Sequence, residues 1–109
     1  MKIILKGLPK ISLNLFYSSS HWTKRKQIKD DYFWLVKSQT KHRQSKSCKV
    51  RYDFYFKGRL LDCSNCAGGM VKLIEDVIFP DDSPKIVKQI MVTSNKAKED
   101  FVEINIEEL

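Results

Sequence analysis

At 109 residues the chain has room for one ordinary domain, residues 1–109, and is too short for two. Hydrophobic side chains make up 42% of it and include twelve aromatics, so a buried core is expected rather than disorder. No apolar run approaches the roughly 20 residues of a membrane helix. Residues 1–5 are too short for a signal-peptide core and lack a small-residue cleavage site after them. The expectation is a soluble, cytoplasmic protein with no membrane partner.

The net charge of +7 suits a polyanionic partner, and its distribution is sharper than its sum. Residues 1–20 hold three lysines and no acid. Residues 21–59 hold twelve Lys/Arg against three acids, and residues 60–109 hold five lysines against ten acids. Nucleic-acid binding needs only cations, whereas metal-assisted cleavage also needs carboxylates. The three cysteines, Cys48, Cys63 and Cys66, are an odd number, which argues against a disulfide framework. Cys63 and Cys66 form a C-x-x-C, but Cys48, His21 and His42 do not complete it at zinc-finger spacing. Ordinary reduced cysteines are expected.

In chain order, residues 1–6 read as a short strand ended by Gly7 and Pro9. Residues 12–20 read as an ordered loop. Residues 21–44 contain no Gly or Pro, and Ile28, Tyr32, Leu35, Val36 and Gln39 fall on one face at helical spacing, with lysines elsewhere. Residues 48–57 switch to alternation: Val50, Tyr52, Phe54 and Phe56 against Arg51, Asp53, Tyr55 and Lys57, a strand. Residues 60–69, with Gly68 and Gly69, read as a loop leading into a helix. That helix carries Met70, Leu73, Ile74, Val77 and Ile78 on its apolar stripe. Pro80 stops it, and Asp81-Asp82-Ser83-Pro84 is a turn. Residues 86–93 read as a strand and residues 94–100 as a polar turn. Val102, Ile104 and Ile106 mark a last strand, whose glutamates read as a solvated sheet edge. The fold class is α/β (α+β): a single small domain with a mixed sheet and two helices in the order β-α-β-α-β-β. Trp22, Trp34 and the other aromatics are expected in the core rather than as base-stacking platforms.

The chemistry concentrates in residues 59–86. Asp62 follows a strand, Lys72 and Asp76 stand one helical turn apart, and Asp81 and Asp82 lie just beyond the helix. Carboxylates delivered from a strand end and a later turn can converge, and hard divalent cations take carboxylate oxygens and water. Such an ion activates water and stabilises a leaving phosphodiester oxygen, while a lysine neutralises transition-state charge. The same residues also fit ordinary turn chemistry and an exposed i,i+4 pair.

This segment resembles the signature of the RusA-type crossover-junction endodeoxyribonucleases: Asp-x-Asp-Asn, a lysine, a further Asp, then Asp-Asp. Asp62, Asn65, Lys72, Asp76 and Asp81-Asp82 match it in order. Leu8-Pro9 with Ser12-Leu13-Asn14, and His21-Trp22 with Arg25, are similar to the family's N-terminal pattern, so the similarity runs over most of the chain. Ser64 stands where the family's second acid is usual, and the interval from Asn65 to Lys72 is longer than in the shortest pattern.

The resemblance implies a Mg²⁺-dependent (or Mn²⁺-dependent) endodeoxyribonuclease cleaving branched DNA, chiefly four-way junctions, as a homodimer. It implies Asp62 and Asp82 as first metal ligands, Asp76 and Asp81 in support, and Lys72 facing the phosphate. Asn65 and Ser64 would support the ligands. Lys24, Arg25, Lys29, Lys37, Lys41, Arg43, Lys49, Arg51 and Arg59 are the expected backbone contacts. The alternatives are a catalytically weak or inactive DNA-binding protein of that fold, and a small basic nucleic-acid-binding module with structural acids.

Overall fold

The computed structural model of the chain describes residues 1–11, 22–79 and 83–109. Strand β1 is Lys2–Lys6, helix α1 Trp22–Gln39 and strand β2 Cys48–Phe56. Two short helices follow, α2 (Cys63–Gly68) and α3 (Met70–Ile78), then one turn of helix, α4 (Ser83–Ile86). Strands β3 (Val87–Lys96) and β4 (Phe101–Glu108) complete a four-stranded sheet in the order β1-β4-β2-β3. β2 runs parallel to β3 and antiparallel to β4, and β1 is antiparallel to β4. The sheet is therefore mixed, as expected. The C-x-x-C segment and residues 83–86 add short helices to the two expected ones.

Period-two alternation in β2 sends Val50, Tyr52, Phe54 and Phe56 into the core. The rings of Tyr52, Phe54 and Phe56 stack in a ladder, with centroids 6.3 and 6.0 Å apart. Against them pack Leu73, Ile74, Val77 and Ile78 of α3 and Tyr32 and Val36 of α1. Ile3 and Leu5 of β1 and Val102, Ile104 and Ile106 of β4 extend the same layer. The opposite strand positions, among them Lys2, Lys49, Arg51 and Glu107, face away from the helices and are exposed.

α1 stops at Gln39 rather than near Gln44. Helix propensity loses here to a tertiary demand. The last carbonyls of α3 need donors from outside that helix. Gln44 enters the core and donates its backbone N–H to the Ile78 carbonyl at 2.9 Å. Gln39, assigned to the apolar face, is exposed and exchanges two 2.7 Å hydrogen bonds with the Lys6 backbone, imitating a strand neighbour at the β1 edge.

β3 starts one residue after the expected position and runs three further, to Lys96. Ser94 and Asn95 look like turn residues, but their side chains bond outward. Ser94 Oγ donates to the Leu61 carbonyl, and Asn95 Nδ2 donates to the Phe54 carbonyl at 3.1 Å. The link from β3 to β4 then crosses the end of β2. Ala97 N–H donates to the Phe56 carbonyl, and Asp100 accepts from Lys57 N–H at 2.7 Å. This crossing makes β4 an interior strand. Glu103 and Glu107 stand on the open sheet face and not at an edge, and Glu108 accepts from Gln44 Nε2 at 3.3 Å.

Candidate functional site

Asp62 ends the extended segment after β2 and caps α2. Its Oδ1 accepts from Asn65 N–H at 2.8 Å, and its Oδ2 accepts from Asn65 Nδ2 at 3.1 Å. That pair of bonds, both donated by Asn65, explains why Asp and Asn stand three apart: the Asp62 side chain satisfies one of the orphan donors of the first helical turn. Asp62 and Ser64 are exposed, and the residue before Asp62 is pinned to β3 through Ser94. Gly69 is the joint between α2 and α3, its N–H donating to the Asn65 carbonyl.

Lys72 and Asp76 lie on the exposed side of α3 because the apolar stripe turns Leu73, Ile74 and Val77 inward. With Glu75 they form one wall of a cleft of about 450 Å³, whose other wall is the start of β3 from Val87 to Ile90. No ion pair joins Lys72 to Asp76. Phe79 and Pro84, which flank the segment carrying Asp81 and Asp82, also line the cleft. Asp81 and Asp82 lie outside the described residues, as do Ser12, Leu13, Asn14 and His21. Asp62 is not on the cleft lining; its neighbour Leu61 is bonded to Ser94, farther along β3.

Among the described residues no three His, Cys, Asp or Glu side chains gather as a metal cage. Mg²⁺ seldom uses one. It keeps several waters and is held by one or two carboxylates with substrate phosphate oxygens, a demand that the Glu75–Asp76 wall meets in donor chemistry. Glu75 escaped the motif reading. It is half-buried, and after burial its carboxylate is the next cause holding the Tyr52 phenol well above its usual range, against ionisation. The consecutive acids at 75 and 76 were the available signal.

The expected DNA contacts divide between two faces. Lys24, Lys29 and Lys37 are exposed on α1, Arg25 is half-buried, and Lys41 and Arg43 are exposed just beyond the helix. Arg59 is exposed in the segment leading to Asp62. Lys49 and Arg51 instead point from the open face of the sheet. There Arg51 Nε donates to both oxygens of Asp53 at 3.0 Å, and Thr93 Oγ1 donates to the same carboxylate. Asp53 is 8% exposed, a buried acid whose signal was its same-face, two-residue spacing from Arg51.

Cys48, Cys63 and Cys66 are all free thiols. Burial, then the neighbouring Cys63 and Asp62, pushes the Cys66 thiol up to about 11 against the opposing pull of Lys10. Trp34 departs from the expected core placement. It is 65% exposed, because Ile28, Tyr32, Leu35 and Val36 already fill the buried side of α1 and Trp34 stands opposite them. The Trp22 side chain lies outside the described residues. Compared with family models, curated proteins and solved structures, the chain matches none.

Proposed function

We propose that the protein is a Mg²⁺-dependent endodeoxyribonuclease acting on branched DNA, chiefly four-way junctions, and working as a homodimer. The observation that carries this reading is the cleft where Lys72 and Asp76 of the motif share a wall and whose margins, Phe79 and Pro84, flank the motif's last two acids. The metal, when bound, would supply an activated water and charge neutralisation at the phosphodiester. Asp76 and the motif acids Asp81 and Asp82 would supply its oxygens, with Glu75 adding a carboxylate, while Asp62, off the cleft lining, would keep its capping role. Lys72 would hold the phosphate by its ammonium and stabilise the extra negative charge that develops there. Lys88, on the facing wall, would add a second cation for the DNA backbone.

Two features of the sheet support a pairing of copies. β3 is an edge strand, and its stretch from residue 89 to residue 95 carries no charge and no proline, the devices that usually blunt an edge. A symmetric junction cut requires two active sites, which a twofold dimer provides.

The deciding experiment is incubation of a synthetic four-way junction with the protein in Mg²⁺ and in EDTA, with sedimentation of the free protein alongside. Paired symmetric cuts in Mg²⁺ alone, lost in Asp76→Asn and Asp82→Asn, are expected. Cleavage that persists in EDTA would sink the reading. One observation favours a second reading, a DNA-binding protein without catalysis: both oxygens of Asp62 are engaged by Asn65, and Ser64 replaces an acid. Junction binding with no cleavage at any metal concentration would establish it.

A further inference from the structure

The outer side of α1 presents an aromatic cluster that the cleft chemistry does not use. Trp34 and Phe33 stand side by side, 65% and 39% exposed, with ring centroids 5.4 Å apart and planes at 81°. Lys37, one turn on, holds its ammonium 5.1 Å from the Phe33 centroid and 5.8 Å from that of Trp34. The sequence around them is cationic: residues 22–47 carry eight Lys/Arg against two aspartates.

Apolar rings of this size are normally withdrawn from water, so an uncovered pair at the solvent pole of a helix marks a contact surface. Its surroundings select the partner. Protein interfaces enrich aromatics but deplete lysine, whereas here the rings are set among lysines. Aromatic faces bordered by cations match a ligand that offers flat π-surfaces joined by phosphates, an unpaired stretch of nucleic acid. Duplex DNA shows its phosphates to such a surface but keeps its base faces stacked inside. The Lys37 ammonium draws toward the electron-rich ring faces and so keeps a cation beside the stacking site before any ligand arrives.

We infer that Trp34, with Phe33 and Lys37, forms a stacking site for unpaired bases, so that α1 distinguishes single-stranded or branch-point DNA from plain duplex. This rests on the nucleic-acid partner of the proposed function but not on cleavage.

The test measures binding in EDTA, where no cutting occurs, to a single-stranded oligodeoxynucleotide and to the blunt duplex of the same sequence. Trp34→Ala should weaken single-strand binding by roughly five- to a hundredfold, the size of one lost base stack. It should leave duplex affinity within about twofold, as a contact made only to exposed bases requires. Trp34→Phe should recover part of the loss, and Lys37→Ala should weaken both substrates. In Trp22→Phe protein, where Trp34 is the remaining tryptophan, emission should be quenched by the single strand and not by the duplex.

Equal single-strand affinity of Trp34→Ala and wild type overturns the inference while leaving the nuclease reading in place. So does a Trp34→Ala protein that sediments differently from wild type, which would mean that the rings face a second copy. Wild-type protein that binds neither oligonucleotide removes the inference and the nucleic-acid partner together. Trp34-dependent binding without junction cleavage in Mg²⁺ removes the nuclease reading alone.

Discussion

Asp62 and Asp76 are both exposed acids of one motif, yet their surroundings give them different work. Asp62 caps a helix, and Asn is as good a cap as Asp. Asp62→Asn should therefore keep stability within about 0.5 kcal/mol while removing a charge, whereas Asp62→Ala should cost about 1 kcal/mol. Asp76 has no cap to lose, so Asp76→Asn should leave the urea midpoint nearly unchanged and abolish junction cleavage. If Asp62→Asn also cuts normally, Asp62 is a cap and nothing more. The thiols separate in the same way. Cys63 is exposed and Cys48 and Cys66 are buried, so iodoacetamide should label one cysteine per native molecule and three in urea. Because Cys66 is raised by burial, the unfolded chain loses that proton first. The native state should lose stability as pH rises from about 9 to about 11, and no loss from this group is expected below that window. A urea midpoint for Cys66→Ser with the same fall between these pH values would show that another group is responsible.

At the scale of elements, β2 and α3 carry the fold, and they were the most legible parts of the sequence. Their periods are strong, two in Val50 to Phe56 and 3.6 in Met70 to Ile78, because both pack on the same core layer. Phe54 sits in the middle of the ring ladder at 1% exposure, and Phe54→Ala should cost roughly 3–5 kcal/mol, read from the shift in a denaturant curve. A loss below about 1 kcal/mol would mean that the site collapses around the gap. Less legible was whatever depends on a distant partner. The end of α1 is set by the Ile78 carbonyl, 34 residues beyond Gln44, and the length of β3 by Leu61 and Phe54 accepting from polar side chains. Trp34 was read inward because hydrophobicity alone does not say that a helix face is already full. Of the candidate site, the motif brought Lys72 and Asp76 to one cleft, but Glu75 and Lys88 join them only because the fold sets α3 across that cleft from the start of β3.

The chain carries its charge in two blocks of sequence, basic over residues 21–59 and acidic over residues 60–109. The cations of residues 21–59 should dominate contact with a phosphate backbone, and neutralised phosphates release counterions. Affinity for DNA should therefore fall by orders of magnitude between about 50 and 200 mM salt. Replacing Lys24, Arg25 and Lys29 together by Ala should flatten the salt slope and weaken all duplex sequences alike. An affinity unchanged by salt would dissociate the basic surface from DNA altogether. Since Lys49 and Arg51 occupy the open face of the sheet, changing them to Ala should shift the slope less than changes on α1 if one DNA arm is held by the helix side.

The pairing of β1 with β4 also sets the order in which the chain can become native. Lys2 lies opposite Asn105, and the Met1 and Ile106 backbones bond in both directions, with Met1 ammonium to Ile106 carbonyl at 3.0 Å and Ile106 N–H to Met1 carbonyl at 2.8 Å. Until residues 101–108 leave the ribosome, β2 lacks its antiparallel neighbour and β1 lacks its strand partner. The sheet closes through its most distant contacts, whose loop entropy must be met before they reward the chain. Refolding on the millisecond-to-second scale of sheet-rich domains is expected, slower than a helical bundle of this size. During that interval the uncharged edge segment of β3, residues 89–95, is open to pairing with another chain.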